Sequence, residues 1–172
     1  TTTASDAVNA ALASDGITGS GSLNVKSGDA DNTIAEANYA SALTTGVVTA
    51  TLKVNATTDF TLAELADLND TGNAFTINVA DTATVGAAAL NVLNGKTTGV
   101  VTVNATKITG ALSDIKSIYD ANTAGEVAGL GNEVVSISDT GNISASTLNG
   151  LNGLTTGVVT VTGATIVTGT LS

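Results

Sequence analysis

Thr44-Thr45-Gly46-Val47-Val48-Thr49 returns unchanged as Thr97-Thr98-Gly99-Val100-Val101-Thr102 and again as Thr155-Thr156-Gly157-Val158-Val159-Thr160. The copies stand 53 and 58 residues apart. A six-residue string met three times in 172 residues is the mark of a repeat architecture. The match spreads outward from it. Val103 to Gly110 aligns with Val161 to Gly169 after one insertion, and Ile77 to Thr82 aligns with Val135 to Thr140. Ala87–Lys96 aligns with Ala145–Leu154, and Leu23 to Ser27 holds the corresponding place in a more diverged first copy.

The repeat divides the chain into units of about 4–60, 61–111 and 112–172, together one array. Gly169-Thr170-Leu171-Ser172 matches Gly110-Ala111-Leu112-Ser113, and Ala4-Ser5-Asp6 takes the place of Leu112-Ser113-Asp114. The expectation is therefore a segment cut at repeat boundaries from a longer array, because terminal repeats of complete arrays are usually atypical caps.

Each unit reads as two strands and two helical pieces. Leu112, Ile115, Ile118 and Tyr119 fall at i, i+3, i+6 and i+7, one face of a helix. Leu62, Leu65 and Leu68 make the equivalent face, and Thr61 and Glu64 have capping-box spacing. Val8, Ala11 and Leu12 fit the face less well. Strands are expected to start near 23, 47, 77, 100, 134 and 158, with short helices over 86–96 and 144–154 between some of them. A crossover of a dozen or more residues points to parallel pairing. The fold class expected is α/β: a repeat solenoid with one parallel β-sheet and short helices. The alternative is an all-β repeat, a β-solenoid or β-sandwich beads, since Thr and Val favour strands. On the parallel sheet Asn24, Thr49, Asn78, Thr102, Ser136 and Thr160 would form a polar column on one face.

Composition removes most chemistry. There is no His and no Cys, so no Ser-His-Asp triad, no Cys nucleophile and no ordinary zinc site. The five basic residues are all Lys, which denies the chain a bidentate phosphate clamp. A net charge of −10 argues against nucleic acid and anionic lipid. No run of 18 apolar residues exists, so no membrane insertion is expected. At 42% hydrophobic and 12% charged, the chain is also unlike a disordered one. No enzyme and no catalytic residue is expected.

The acids are the remaining candidates. Asp67, Asn69 and Asp70 have the alternating oxygens of a calcium loop, with Gly72 sixth. Thr71 at position five and Asn78 at position twelve fail that pattern, which fits a polar turn better. Asp29 and Asp31 form a second calcium candidate. No other cofactor is expected. Asp29, Asp81 and Asp139 recur near the end of the first strand of each unit, where each is expected to cap the following turn or helix. Thr45, Gly46, Thr98, Gly99, Thr156 and Gly157 are read as structural residues of the repeat. A Thr/Asn-lined sheet would alternatively suit ice or carbohydrate binding.

Asp81-Thr82, Ala87, Leu90-Asn91, Leu93 and Thr97–Val103, followed by Ile108-Thr109-Gly110 and Leu112-Ser113, recur between Asp139 and Ser172 with one insertion, and Asp114-Ile115 continues the earlier copy. This pattern resembles the tandem repeats of giant secreted bacterial surface proteins, including RTX-type adhesins of marine bacteria and cyanobacteria. The resemblance spans most of 61–172. It implies an extracellular, cell-surface structural role in adhesion and biofilm: an extender that projects distal binding domains, with adjacent repeats of the same chain as partners. It transfers no catalytic residue and leaves the distal ligand unspecified. Calcium is common in that group, but its Gly-Gly-x-Gly-x-Asp signature is missing here.

Overall fold

The computed structural model describes residues 4–53, 59–69 and 72–170, the first three of these by backbone alone. In chain order the elements are α1 (Ala4–Leu12), a 3₁₀ turn (Ser20–Ser22), β1 (Val25–Lys26), α2 (Ile34–Leu43), β2 (Val48–Leu52), α3 (Leu62–Leu65), β3 (Ala74–Val79) and β4 (Thr84–Gly86). Then come α4 (Ala87–Asn94), β5 (Val101–Val103), β6 (Lys107–Gly110), α5 (Leu112–Ala124), β7 (Val127–Ala128), β8 (Val134–Ser144), α6 (Ala145–Asn152) and β9 (Val159–Thr168). The fold is mixed α/β, with short helices and two parallel sheets. Two compact units emerge: residues up to Ala80 with Leu93–Thr102, and Asp81–Val92 with Val103 onward. None of the helices among the described residues is long and apolar enough to cross a membrane.

In the first unit, β1, β2, β3 and β5 are neighbours in that order. Val25 lies beside Val48 and Thr49 beside Ala74, both in parallel pairs. Alternation follows from the pleat. Val48, Ala50 and Leu52 are buried on β2, as are Phe75, Ile77 and Val79 on β3. Helix α2 closes the crossover between β1 and β2. Thr33 is its N-cap: Thr33 N–H donates to Glu36 Oε2 at 2.8 Å and Glu36 N–H donates to Thr33 Oγ1 at 3.2 Å. Both bonds satisfy amides that the first helical turn leaves without intrahelical partners. Ile34, Ala37 and Ala40 are the buried face. The same box forms on α3 between Thr61 and Glu64, as the spacing predicts. There the Thr61 backbone amide, then its hydroxyl, holds the Glu64 carboxyl below its ordinary pKa.

In the second unit the sheet order is β4-β6-β8-β9. Val85, Ile108, Val135 and Val159 form one apolar ladder across it, and Thr109, Ser136 and Thr160 a polar one. Leu112, Ile115, Ile118 and Tyr119 are buried on α5, as expected. Gly125, at φ 83°, ends that helix in the left-handed conformation that L side chains avoid.

The parallel pairing expected from the long crossovers is present, but in two sheets rather than one. Short stretches around Asp81-Thr82-Ala83 and Asn104-Ala105-Thr106 redirect the chain between β3 and β4 and between β5 and β6. This splits what reads in sequence as one strand and its tail. The steps between paired residues are consequently near uniform, 23 to 27 residues, instead of alternating between about 24 and 30–34. A second difference concerns Asp139. It does not close its strand, since β8 continues to Ser144.

Candidate functional site: a repeated Thr-Thr-Gly clamp

The three Thr-Thr-Gly strings sit at the entrances to β2, β5 and β9 and repeat one geometry. Thr44 Oγ1 donates to Leu23 O at 2.7 Å and accepts from Gly46 N–H at 3.0 Å. Thr97 Oγ1 lies 2.8 Å from Phe75 O as donor and accepts from Gly99 N–H at 2.9 Å. Thr155 Oγ1 donates to Glu133 O at 3.3 Å and accepts from Gly157 N–H at 3.0 Å. All three of these threonines are buried. Each hydroxyl therefore turns its own chain through an i to i+2 bond and grips with its proton a carbonyl 21 or 22 residues earlier.

The second threonine adds a backbone bond. Thr45, Thr98 and Thr156 N–H groups donate to the carbonyls of Gly21, Asn73 and Gly131, each at 2.8 Å. The glycine then admits the gripped carbonyl. A Cβ on Gly46, Gly99 or Gly157 would overlap the carbonyl of Leu23, Phe75 or Glu133 respectively. Close backbone approach, not a positive φ, is what requires glycine at these three places. Gly129 meets the Val103 carbonyl in the same way, without a Thr pair before it.

The clamp holds a main-chain group, so the side chain at the gripped position is free to vary. It is Leu23, Phe75 and Glu133 in the three copies. Glu133 is only 1% exposed. A buried carboxylate needs its lone pairs filled, and they are. Tyr119 Oη donates at 2.6 Å, Gly131 N–H at 2.9 Å and Asn132 N–H at 3.3 Å. Burial first, then the bond to Glu133 and its charge, push the Tyr119 phenol above its ordinary range.

The threonine-glycine residues singled out in the sequence thus meet in working clamps. Thr44, Thr97 and Thr155, the first of each pair, carry the buried hydroxyl and were not singled out. Their two-residue spacing before glycine was the available signal. Asp139 does cap a helix, but an earlier one: Leu112 N–H, at the start of α5, donates to Asp139 Oδ2 at 2.6 Å. Ala111 at the N-cap has no side-chain acceptor to offer. Asp81 is half-buried between β3 and β4.

The calcium candidates are held by amides. Asn38 Nδ2 donates to Asp67 O at 2.9 Å and Asn69 N–H donates to Asn38 Oδ1 at 3.0 Å. Asn32 ties the 27–32 turn, donating to Asp29 O and Thr51 O, each at 2.9 Å. Asp31 is exposed, and Asp70 lies outside the described residues. Among the described residues no three acidic side chains gather as a metal cluster. No family model, curated protein or solved structure matches the chain.

Two glycine substitutions should act with opposite sign. Gly99→Ala forces a methyl onto the Phe75 carbonyl and is expected to destabilise by about 1–3 kcal/mol or more. Gly150→Ala, in open space within α6, is expected to stabilise by about 0.5–1 kcal/mol. Urea denaturation of both variants checks this.

Tyr119 predicts an alkaline limit. Its folded pKa is raised, so the unfolded state releases its proton first, and stability falls as pH rises past the unfolded phenol value of about 10. In an absorbance titration one phenol should ionise only as the chain unfolds. Tyr119→Phe should remove that phase and cost about 1–3 kcal/mol at neutral pH, where it leaves Glu133 short of a donor.

Proposed function

We propose that this chain is a non-catalytic extender segment of a large bacterial cell-surface adhesin, built as a solenoid of stacked coils. The observation that carries the reading is the threefold clamp. At three places, before β2, β5 and β9, it joins a coil to the one before through a main-chain carbonyl 21 or 22 residues earlier, with little dependence on the gripped side chain. An element that locks backbone to backbone can be copied many times while its surface drifts. That is the requirement on a spacer, whose job is reach and stiffness.

The composition supports the same reading. A chain without Cys has no disulfides to mispair on the way out of the cell, and an acidic surface with few Lys resists association along its sides. The polar ladder of Thr109, Ser136 and Thr160 is accounted for by cross-strand pairing of small hydroxyl side chains. The extracellular location and the adhesive role come from the resemblance of the repeat, and partners of the segment would be further repeats.

Reach follows from strand spacing. At about 4.8 Å per coil and 23 to 27 residues between paired residues, 172 residues would extend the solenoid by roughly 30–35 Å. Small-angle scattering on one, two and three tandem copies tests this. The expected result is a maximum dimension that grows by an equal increment with each copy. Growth closer to the square root of copy number would mean loosely joined beads and would overturn the stiff spacer.

A further inference from the structure

We propose that the cleft between the 104–106 bend and the 129–133 turn is a binding site for a neutral hexopyranose sugar. It lies apart from the Thr-lined sheet face, and it goes beyond the spacer reading without depending on it.

The cleft is walled by two neighbouring passes of the chain, both within the second unit. Asn104, Ala105 and Thr106 stand on one side and Gly129, Asn132 and Glu133 on the other. Three residues join β5 to β6, whereas five join β7 to β8. The longer turn is shaped by glycine. Gly129 lies at φ 91° and Gly131 at φ 134°, and a Cβ on Gly129 would strike the Val103 carbonyl. The space between the two passes is about 350 Å³, inside the range of small-molecule sites.

Both walls are pinned before any ligand arrives. Thr106 N–H donates to the carbonyls of Thr82 and Ala83, and the Thr106 hydroxyl donates to Ala83 O at 3.0 Å. Glu133 takes the amides of Gly131 and Asn132, and Leu130 N–H donates to Asn122 Oδ1 at 3.3 Å. The buried carboxylate thereby stiffens the turn, which Leu23 and Phe75 at the same place in the other copies cannot do. The side-chain amides of Asn104 and Asn132 have no partner among the described residues. Rigid walls that carry uncommitted polar groups lower the ordering cost of binding.

The chemistry of the walls selects the ligand. Two amides and a hydroxyl offer donors and acceptors together, which suits a molecule whose own hydroxyls do both. A metal ion takes acceptors only, and the Glu133 oxygens already accept from Tyr119, Gly131 and Asn132. An anion would need a cation, and no Lys is among the residues that line the cleft, in a chain whose net charge is −10. An apolar ligand would find only Ala105 and Gly129 to pack on.

The test is two-dimensional NMR of the isotope-labelled 172-residue chain, titrated separately with glucose, galactose, mannose and N-acetylglucosamine to about 50 mM. At least one sugar should shift the amides of Gly129, Gly131 and Asn132 saturably. Half-saturation is expected at about 1–10 mM, the range for about a dozen ligand atoms. N104A/N132A changes two side-chain amides that no other group holds. Its melting midpoint should stay unchanged while sugar binding weakens at least about tenfold. Four sugars that shift nothing overturn the proposal, as do shifts that fall outside the cleft or a variant that binds like wild type. Shifts caused by about 2 mM calcium chloride and by none of the sugars overturn it too, and make the cleft a cation site. Tandem-copy scattering does not depend on this outcome, so either reading can fail alone.

Discussion

A main-chain carbonyl packed against the α-carbon of glycine is the constraint on which the rest of the structure depends. At Gly46, Gly99 and Gly157 the backbone of Leu23, Phe75 and Glu133 comes so close that only a hydrogen fits. The approach would be useless if it left polar groups unpaired, because a buried amide or carbonyl without a partner costs about 1–3 kcal/mol. The threonine two residues before each glycine resolves this by accepting from the glycine amide and donating to the incoming chain. Strand spacing, register and the entry angle of β2, β5 and β9 then follow from one small polar device. Burial of Val48 and Val101 beyond it supplies the hydrophobic gain.

Because the device acts on backbone, it tolerates unlike neighbours, and Glu133 shows how far. A carboxylate stands where Phe75 stands one copy earlier, and the fold accommodates it with the Tyr119 hydroxyl and two backbone amides. Replacing an aromatic core residue by a charged one usually fails unless each lone pair finds a donor. Here Tyr119 belongs to the helical face of α5 and Gly131 and Asn132 to the turn before β8, so the partners come from within the same unit.

Much of this was legible in the residues. The repeat located the clamps, the i, i+3, i+6 pattern located α5, and Thr61 with Glu64 located α3. Helix α2 is faint in the residues although Thr33 and Glu36 carry the same box, because its buried face is Ile34, Ala37 and Ala40, and two alanines barely register as apolar. The division into two sheets was hidden for another reason. Thr, Val, Ala and Asn run on both sides of each bend without a proline to mark it. Nor could one sequence say which threonine of a pair turns inward, since both have the same hydropathy and only the i to i+2 bond separates them. The role of Asp139 was half legible. A carboxylate near a helix start was expected, but its partner lies 27 residues earlier and is a product of tertiary packing.

If the clamps hold neighbouring strands together, their amides should be among the slowest to exchange with solvent. Most turn amides open locally at little cost, whereas those bound within a cooperative core exchange only when the core opens. Native-state hydrogen exchange of Gly46, Gly99 and Gly157, read against Ile77 and Val135 in the strands, is the direct measurement. Each glycine amide faces a threonine hydroxyl inside a turn, a position that sequence alone would class as exposed loop. The account predicts protection approaching that of the strand amides within the same unit. Exchange at the rate of an open turn would mean that the threonine-glycine contacts decorate the fold without holding it.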